Sequence, residues 1–455
     1  MKQAIVGAAI AIMVCEAASK AGAEPKPSFT ETRHPLEPRC AYVRDLDILH
    51  RTEADVAALR DLFKSTPLLI FPRRAGDKGF LSPAELQEFI KEFDEDHDAE
   101  ALARPADFPN RMLHPFVQIP GVEHMSPRGF YSAPELYGIK NFSVTPEEVL
   151  ADVHLWHTDL GGHPFKLPNV VTGFHFIKQP VIGGETDFIS GQTIYEALPE
   201  PMKRACAQIV LELDRGAFLS GDTIVDYAGA MKVRRPGSQR NDAAIQCVPL
   251  LYGPEPAVLP QSGFLESVAG WSRERSDAWL RKFMHDHVLP HSERHSLYTS
   301  LAGGSNECAN FNCVKTSTAR RRFSVQWRPG DVAVLDNRKF VHAAAPYMRY
   351  RKYADSDQRL LLQTFLPTHR PLTYLPPREW DAAALVDAGW AADAQEADDA
   401  VRAARAFFDE KCKLKSSDCG TCASSGGDGE GVPTAPVVCG DASGGGAAEA
   451  PAVAS

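Results

Sequence analysis

The stretch from Ala151 to Ser190, ADVHLWHTDLGGHPFKLPNVVTGFHFIKQPVIGGETDFIS, constrains this chain more than any other. It opens with His157-Thr158-Asp159 and closes on Gly183-Gly184-Glu185-Thr186. In an extended strand, residues i and i+2 point to the same face. His157 and Asp159 would therefore present an imidazole and a carboxylate side by side to one cavity. One more imidazole completes a 2-His-1-carboxylate facial triad, which leaves open positions on Fe(II) for a co-substrate and O2. A short H-x-D also arises by chance, and His291-Ser292-Glu293 has much the same form. A second block strengthens the metal reading.

That block is FSVQWRPGDVAVLDNRKFVHAAAPY, from Phe323 to Tyr347. Trp327-Arg328-Pro329-Gly330-Asp331 reads as a turn, because Pro and Gly fix the backbone. Val332 to Leu335 is a short apolar run of the buried-strand kind. Asp336-Asn337-Arg338 then turns the chain toward His342, which is either a third ligand or a core histidine satisfied by a carbonyl. Gln358 to Phe365 is another strand-like run with Arg359 at its mouth. A guanidinium there can clamp a carboxylate through two hydrogen bonds.

Taken together, Trp156-His157-Thr158-Asp159, Gly183-Gly184-Glu185-Thr186, Trp327 through His342, and Arg359 resemble the TauD/TfdA family of Fe(II)/2-oxoglutarate-dependent dioxygenases. That family shows W-H-x-D, G-G-x-T, W-x-P-G-D-x-x-x-x-D-N-x-x-x-x-H and then an Arg, in this order. The resemblance covers residues 45–376. It implies a mainly β chain with helices (α+β), a double-stranded β-helix or jelly-roll core with flanking helices. It further implies that His157, Asp159 and His342 hold Fe(II), and that Thr186 and Arg359 bind the distal carboxylate of 2-oxoglutarate. O2 is the other co-substrate, and an unactivated C–H of a small polar or anionic molecule is hydroxylated with release of succinate and CO2. Related halogenases replace the carboxylate with a small residue, so Asp159 argues for hydroxylation.

Two departures stand out. The segment MRYRKYADSD lengthens the gap between His342 and the Arg, which leaves Arg349 and Arg351 as alternatives. Arg359 is preferred because it alone opens an apolar run. The taurine dioxygenases carry an H-P-x-Y block and a second Arg, four residues beyond the first, that hold a sulfonate. Here His114 matches, but Val117 stands for the Tyr and Gln363 for the Arg. His114 and Gln363 become candidate substrate contacts, with Gln261 beside them, and taurine itself fits poorly.

Of 455 residues, 44% are hydrophobic and 24% charged, as in ordinary globular chains. A net charge of −10 excludes a nucleic-acid surface, with Arg320-Arg321-Arg322 the one basic cluster. Residues 1–23 resemble a secretory signal peptide: one Lys, an apolar run from Ala4 to Val14, and Ala21-Gly22-Ala23 as a cleavage-like site. The expected destination is the secretory pathway, with the cytoplasm as the alternative. No later stretch is apolar enough for a membrane span. A homo-oligomer is left open.

Thr52 to Ser65 has helical spacing at Val56, Leu59, Leu62 and Phe63. Pro67 to Phe71 reads as a buried strand, and Ser82-Pro83-Ala84-Glu85 as a capped helix start. By the family resemblance, residues 214–252 would form a lid over the active site; loops of this length are often functional or disordered. His285, His287, His291 and His295 read as surface histidines, because Pro290 breaks any helix that would align them. Residues 301–320 look inserted and carry Cys308 and Cys313, a candidate pair. Residues 379–411 suggest peripheral helices. Residues 413–455 turn to Gly, Ser, Ala and Pro, the composition of disorder, around a Cys419-Gly420-Thr421-Cys422 loop. Two rival readings remain: a jelly-roll binding protein without catalysis, and a metal enzyme on the same barrel that needs no 2-oxoglutarate.

Overall fold

In a computed structural model of the chain, the structure describes residues 26–77, 79–103, 119, 122, 125–137, 139–144, 156–159, 169–180, 184–214, 223–226, 231–234, 245–253, 255–260, 265–288, 323–344, 358–370, 372–377, 379–413 and 437–439. The signal-like segment, His114, Gln261, Arg349, Arg351 and the 301–320 insertion lie outside the described residues. So does most of the candidate lid.

The strands open with β1 (Thr30–His34), β2 (Glu37–Arg44), β3 (Leu68–Phe71), β4 (Met125–Leu136), β5 (Ile139–Val144), β6 (Val171–Lys178) and β7 (Thr186–Ser190). They continue with β8 (Val210–Asp214), β9 (Thr223–Asp226), β10 (Met231–Arg234), β11 (Ile245–Pro249), β12 (Leu251–Tyr252), β13 (Ala257–Val258) and β14 (Leu265–Val268). The last are β15 (Phe323–Val325), β16 (Val332–Asp336), β17 (Phe340–Ala344), β18 (Arg359–Phe365), β19 (Leu372–Tyr374) and β20 (Val437–Cys439). Among the helices are α1 (Glu53–Ser65), α2 (Pro83–Lys91), α3 (Ala99–Ala103), α4 (Gly191–Glu196), α5 (Glu200–Cys206), α6 (Arg273–Phe283), α7 (Ala382–Asp387) and α8 (Ala394–Lys413).

The architecture mixes sheets with fewer helices. An eight-stranded sheet runs β1-β2-β3-β16-β6-β18-β4-β5, and a three-stranded sheet runs β15-β7-β17. In the larger sheet only β2 and β3 pair in parallel. Strand alternation sorts the larger sheet's side chains between two cores. On β3 and β16, Leu69, Phe71, Val332 and Val334 face the helical side, against Leu59, Leu62, Phe63, Leu86, Phe89 and Ile90 of α1 and α2. Leu68, Ile70, Ala333 and Leu335 face the other way, with Phe174 and Phe176 of β6, toward Phe188, Phe323 and Phe340 of the smaller sheet. Each fully buried Leu or Phe contributes about 1.5–3 kcal/mol of transfer free energy, so the two cores clamp the sheet from both sides.

Both early helices begin where the sequence places them. Thr52 caps α1 in a reciprocal box with Asp55, and Ser82 caps α2 with Glu85. Val56, expected on the apolar face of α1, is only half buried. Asp55 is buried instead, because it also accepts the Ser28 backbone N–H at 2.6 Å. Gly173 lets α2 approach the sheet: a Cβ there would stand 2.5 Å from Ile90 Cγ1.

Three segments named from the sequence are described, wholly or in part. The helices expected at the periphery are built into the largest core, where Leu385, Trp390, Ala397, Ala400 and Ala404 pack with Trp279, Leu280 and Phe283 of α6. In the segment expected to be disordered, Val437–Cys439 forms β20 and pairs antiparallel with β19. The candidate lid contributes β9, β10 and β11 to small antiparallel sheets. No helix among the described residues is long and apolar enough to cross a membrane.

Candidate metal centre

His342 sits in the middle of β17, opposite Phe188 of β7. The strand before it, β16, is entered through a turn at which Gly330 adopts φ +97°, a left-handed conformation that only Gly takes without strain, and a second turn, closed by the Lys339 N–H on the Asp336 carbonyl, leads into β17. His157 is not in a strand, as the extended reading of its stretch had it. Residues 156–159 meet β17 through a single bridge: the His157 N–H donates to the His342 carbonyl at 3.0 Å, and the His342 N–H donates back at 2.9 Å. That reciprocal pair sets the two imidazoles side by side, with ring centroids 4.6 Å apart.

Asp159 completes the group. Its Oδ1 lies 3.7 Å from His157 Nε2, and its Oδ2 lies 3.6 Å from His342 Nε2. Among the described residues, His157, Asp159 and His342 are the group able to hold a metal ion, with one donor atom from each inside a 4.8 Å span. Burial pushes the His342 imidazole down to about 4, with Asp159 pulling up and His157 pushing down. His342 is therefore neutral at pH 7, with a lone pair to offer. Two imidazoles and a carboxylate fit a divalent first-row ion such as Fe(II). Phe174 and Phe188 flank His342 at ring-centroid distances of 5.9 and 6.0 Å and keep the inner wall apolar.

Asn337, which the sequence marked only as part of a turn, holds the carboxylate's backbone. Its Oδ1 accepts the Asp159 N–H at 2.6 Å, and its Nδ2 donates to the Asp159 carbonyl. The adjacent Asp-Asn pair of the second block was the available signal; what it could not show was the partner. Gln363, expected to contact substrate, instead points its Nε2 at Asp159 Oδ2, 3.0 Å away.

Thr186 and Arg359 meet two residues along β7 from Phe188, the register partner of His342. Thr186 begins β7, Arg359 begins β18, and both side chains are buried. Arg359 Nη2 lies 3.5 Å from Thr186 Oγ1, and its guanidinium lies 6.0 Å from the centroid of the Phe176 ring. Phe176 in turn stacks on Trp327 at 4.0 Å and 13°. The Trp327 indole N–H donates to Thr186 Oγ1 at 2.9 Å, a contact that reading Trp327 as part of a turn does not reveal. A buried guanidinium beside a hydroxyl presents donors of the kind a carboxylate accepts from. Of the four candidate histidines further on, His285 and His287 fall in a π turn, Met284–Val288, and His291 and His295 lie outside the described residues.

Residues 32–285 match the family described as "Taurine catabolism dioxygenase TauD, TfdA family". His157, Asp159 and Thr186 fall inside that span, whereas His342 and Arg359 lie beyond its end. A Schizosaccharomyces pombe protein named as an alpha-ketoglutarate-dependent sulfonate dioxygenase is 26% identical over 198 residues, 42% of this chain. The match spans only 39% of that relative's length. A taurine dioxygenase from Burkholderia xenovorans superposes with a TM-score of 0.48 at 16% identity, covering 77% of this chain and 95% of that one. The structure of AAD-2 with Mn(II) and N-oxalylglycine gives a TM-score of 0.44 at 14% identity, covering 75% and 98%.

Proposed function

The chain belongs to the TauD/TfdA family, and from that premise we propose that it is an Fe(II)- and 2-oxoglutarate-dependent dioxygenase. The observation that carries this reading is the convergence of His157, Asp159 and His342 on one 4.8 Å group. When bound, Fe(II) with 2-oxoglutarate and O2 supplies the oxidising power for C–H hydroxylation, yielding succinate and CO2.

The chain's own residues bind and orient. His157 and His342 would offer ring nitrogens to the ion and Asp159 a carboxylate oxygen. Arg359 and Thr186 take the distal carboxylate of 2-oxoglutarate. Arg359 and Gln363 share one face of β18, about 13 Å apart along the strand at 3.3 Å per residue. Gln363 marks the metal end through Asp159 and Arg359 the far end, the order a five-carbon diacid needs. Phe174, Phe176 and Phe188 exclude water from the inner wall. We read the eight-stranded and three-stranded sheets, which face each other across the Phe188 core, as the halves of a double-stranded β-helix.

The substrate is a small polar or anionic organic molecule, hydroxylated at an unactivated C–H. The test is succinate release from 2-oxoglutarate by protein loaded with Fe(II) without O2 and then exposed to it, across sulfonates, carboxylates and amino-acid-like compounds. Turnover should depend on iron, on one compound class and on His157, vanishing in His157→Ala. Arg359→Ala should raise KM for 2-oxoglutarate steeply. Unchanged activity in Arg359→Ala would favour a metal enzyme that needs no 2-oxoglutarate.

A further inference from the structure

Asp159 is gripped at both ends. Asn337 clasps its backbone, and Gln363 reaches its carboxylate. Gln363 is 7% exposed and Asp159 8%, so their 3.0 Å hydrogen bond is shielded from competing water. Gln363 also stands on a strand paired on both sides, in register with Phe174 of β6 and Ser126 of β4. Its Cα cannot shift without breaking both ladders. The amide nitrogen has only hydrogens to offer, so toward Oδ2 it acts as a fixed donor.

We propose that Gln363 is a positioning residue for the metal carboxylate, not a substrate contact. The assignment rests on the metal-site reading above. Its N–H engages Oδ2 of Asp159, which fixes the rotation of the carboxylate and would keep it from chelating the ion through both oxygens. Coordination positions are thereby kept for a bidentate co-substrate and O2. A neutral amide does this without a second positive charge beside the ion, which an Arg in this place would add. Such partners of ligating groups are worth about 10- to 100-fold in metal affinity.

The test uses full-length apo protein titrated with Mn(II), followed by the loss of the free-ion EPR signal, and with Co(II), followed by visible absorption. Gln363→Met keeps the length and volume of the side chain but cannot donate, and Gln363→Leu is a second apolar replacement should the first not fold. A melting curve of the apo protein identifies the folded variants. The expected result is Mn(II) binding about 10- to 100-fold weaker than wild type, with shifted Co(II) bands. Wild-type affinity and an unchanged Co(II) spectrum in either folded variant overturn the assignment. Failure of the metal-site reading looks different: the wild type then takes up neither ion at one equivalent, His157→Ala changes nothing, and the Gln363 assignment falls with it.

Discussion

Thr186 shows how one side chain's direction is fixed by another. Its oxygen accepts from Trp327 Nε1 and faces Arg359 Nη2. With both lone-pair directions engaged, its hydroxyl hydrogen is left to donate, which is what a carboxylate requires. Trp327→Phe should keep the stack on Phe176 and lose only the indole donor. A hydrogen bond of this kind is worth about 1–1.5 kcal/mol. The expected outcome is a roughly 10-fold rise in KM for 2-oxoglutarate with kcat little changed; a fall in kcat at constant KM would show that Trp327 acts elsewhere. At this scale the sequence told residue types but not partners. His157, Asp159, His342, Thr186 and Arg359 could be picked out because four blocks of the chain resemble the family's pattern in the same order. Gln363 was placed against substrate because nothing in a linear chain shows that its amide reaches a carboxylate on a distant loop.

Elements were legible where local chemistry decides them. Thr52 and Ser82 begin helices because their side chains satisfy backbone N–H groups that have no partner in the first turn. The apolar runs of β3, β16 and β18 are strands because both faces of the larger sheet are buried. β1 and β2 were missed: β1 is an exposed edge strand, mostly polar, with no apolar alternation to announce it. The fit of α2 to the sheet is likewise a matter of approach rather than propensity. Gly173→Ala would place a methyl 2.5 Å from Ile90 Cγ1 and 2.9 Å from Thr364 Cγ2. Overpacking of this kind costs about 1–3 kcal/mol, and a denaturant titration should show it as a lower midpoint with unchanged slope. An unchanged midpoint would mean that α2 moves away freely.

For the whole molecule, the larger sheet carries a built-in acid sensitivity. His175 on β6 is 1% exposed, and its Nδ1 has no hydrogen-bond partner among the described residues. Burial, with a smaller push from Arg73, lowers it from 6.5 to about 4. Between those values the unfolded chain binds a proton that the folded chain does not, so stability rises with pH across that window. The stabilisation is complete above pH 6.5 and is lost as pH falls through about 4. The full effect is on the order of 3 kcal/mol. His175→Leu should flatten the pH dependence of unfolding between these limits, read as chemical denaturation at several pH values. A slope equal to wild type would place the sensitivity on another group.

The sequence by itself determined the chemistry available: two imidazoles, a carboxylate, a hydroxyl and a guanidinium, carried by blocks whose turns and apolar runs follow from Pro, Gly and alternation. Local rules suffice there, because a cap, a turn or a buried run is settled by neighbours a few residues apart. Only the tertiary structure decided that His157 bridges His342 through two backbone hydrogen bonds, that Asn337 clasps Asp159, and that Gln363 serves the carboxylate. It likewise built α7 and α8 into the main core. Each of these joins segments far apart in the chain, and such pairings are fixed by which faces must be buried together and which polar groups must then find partners.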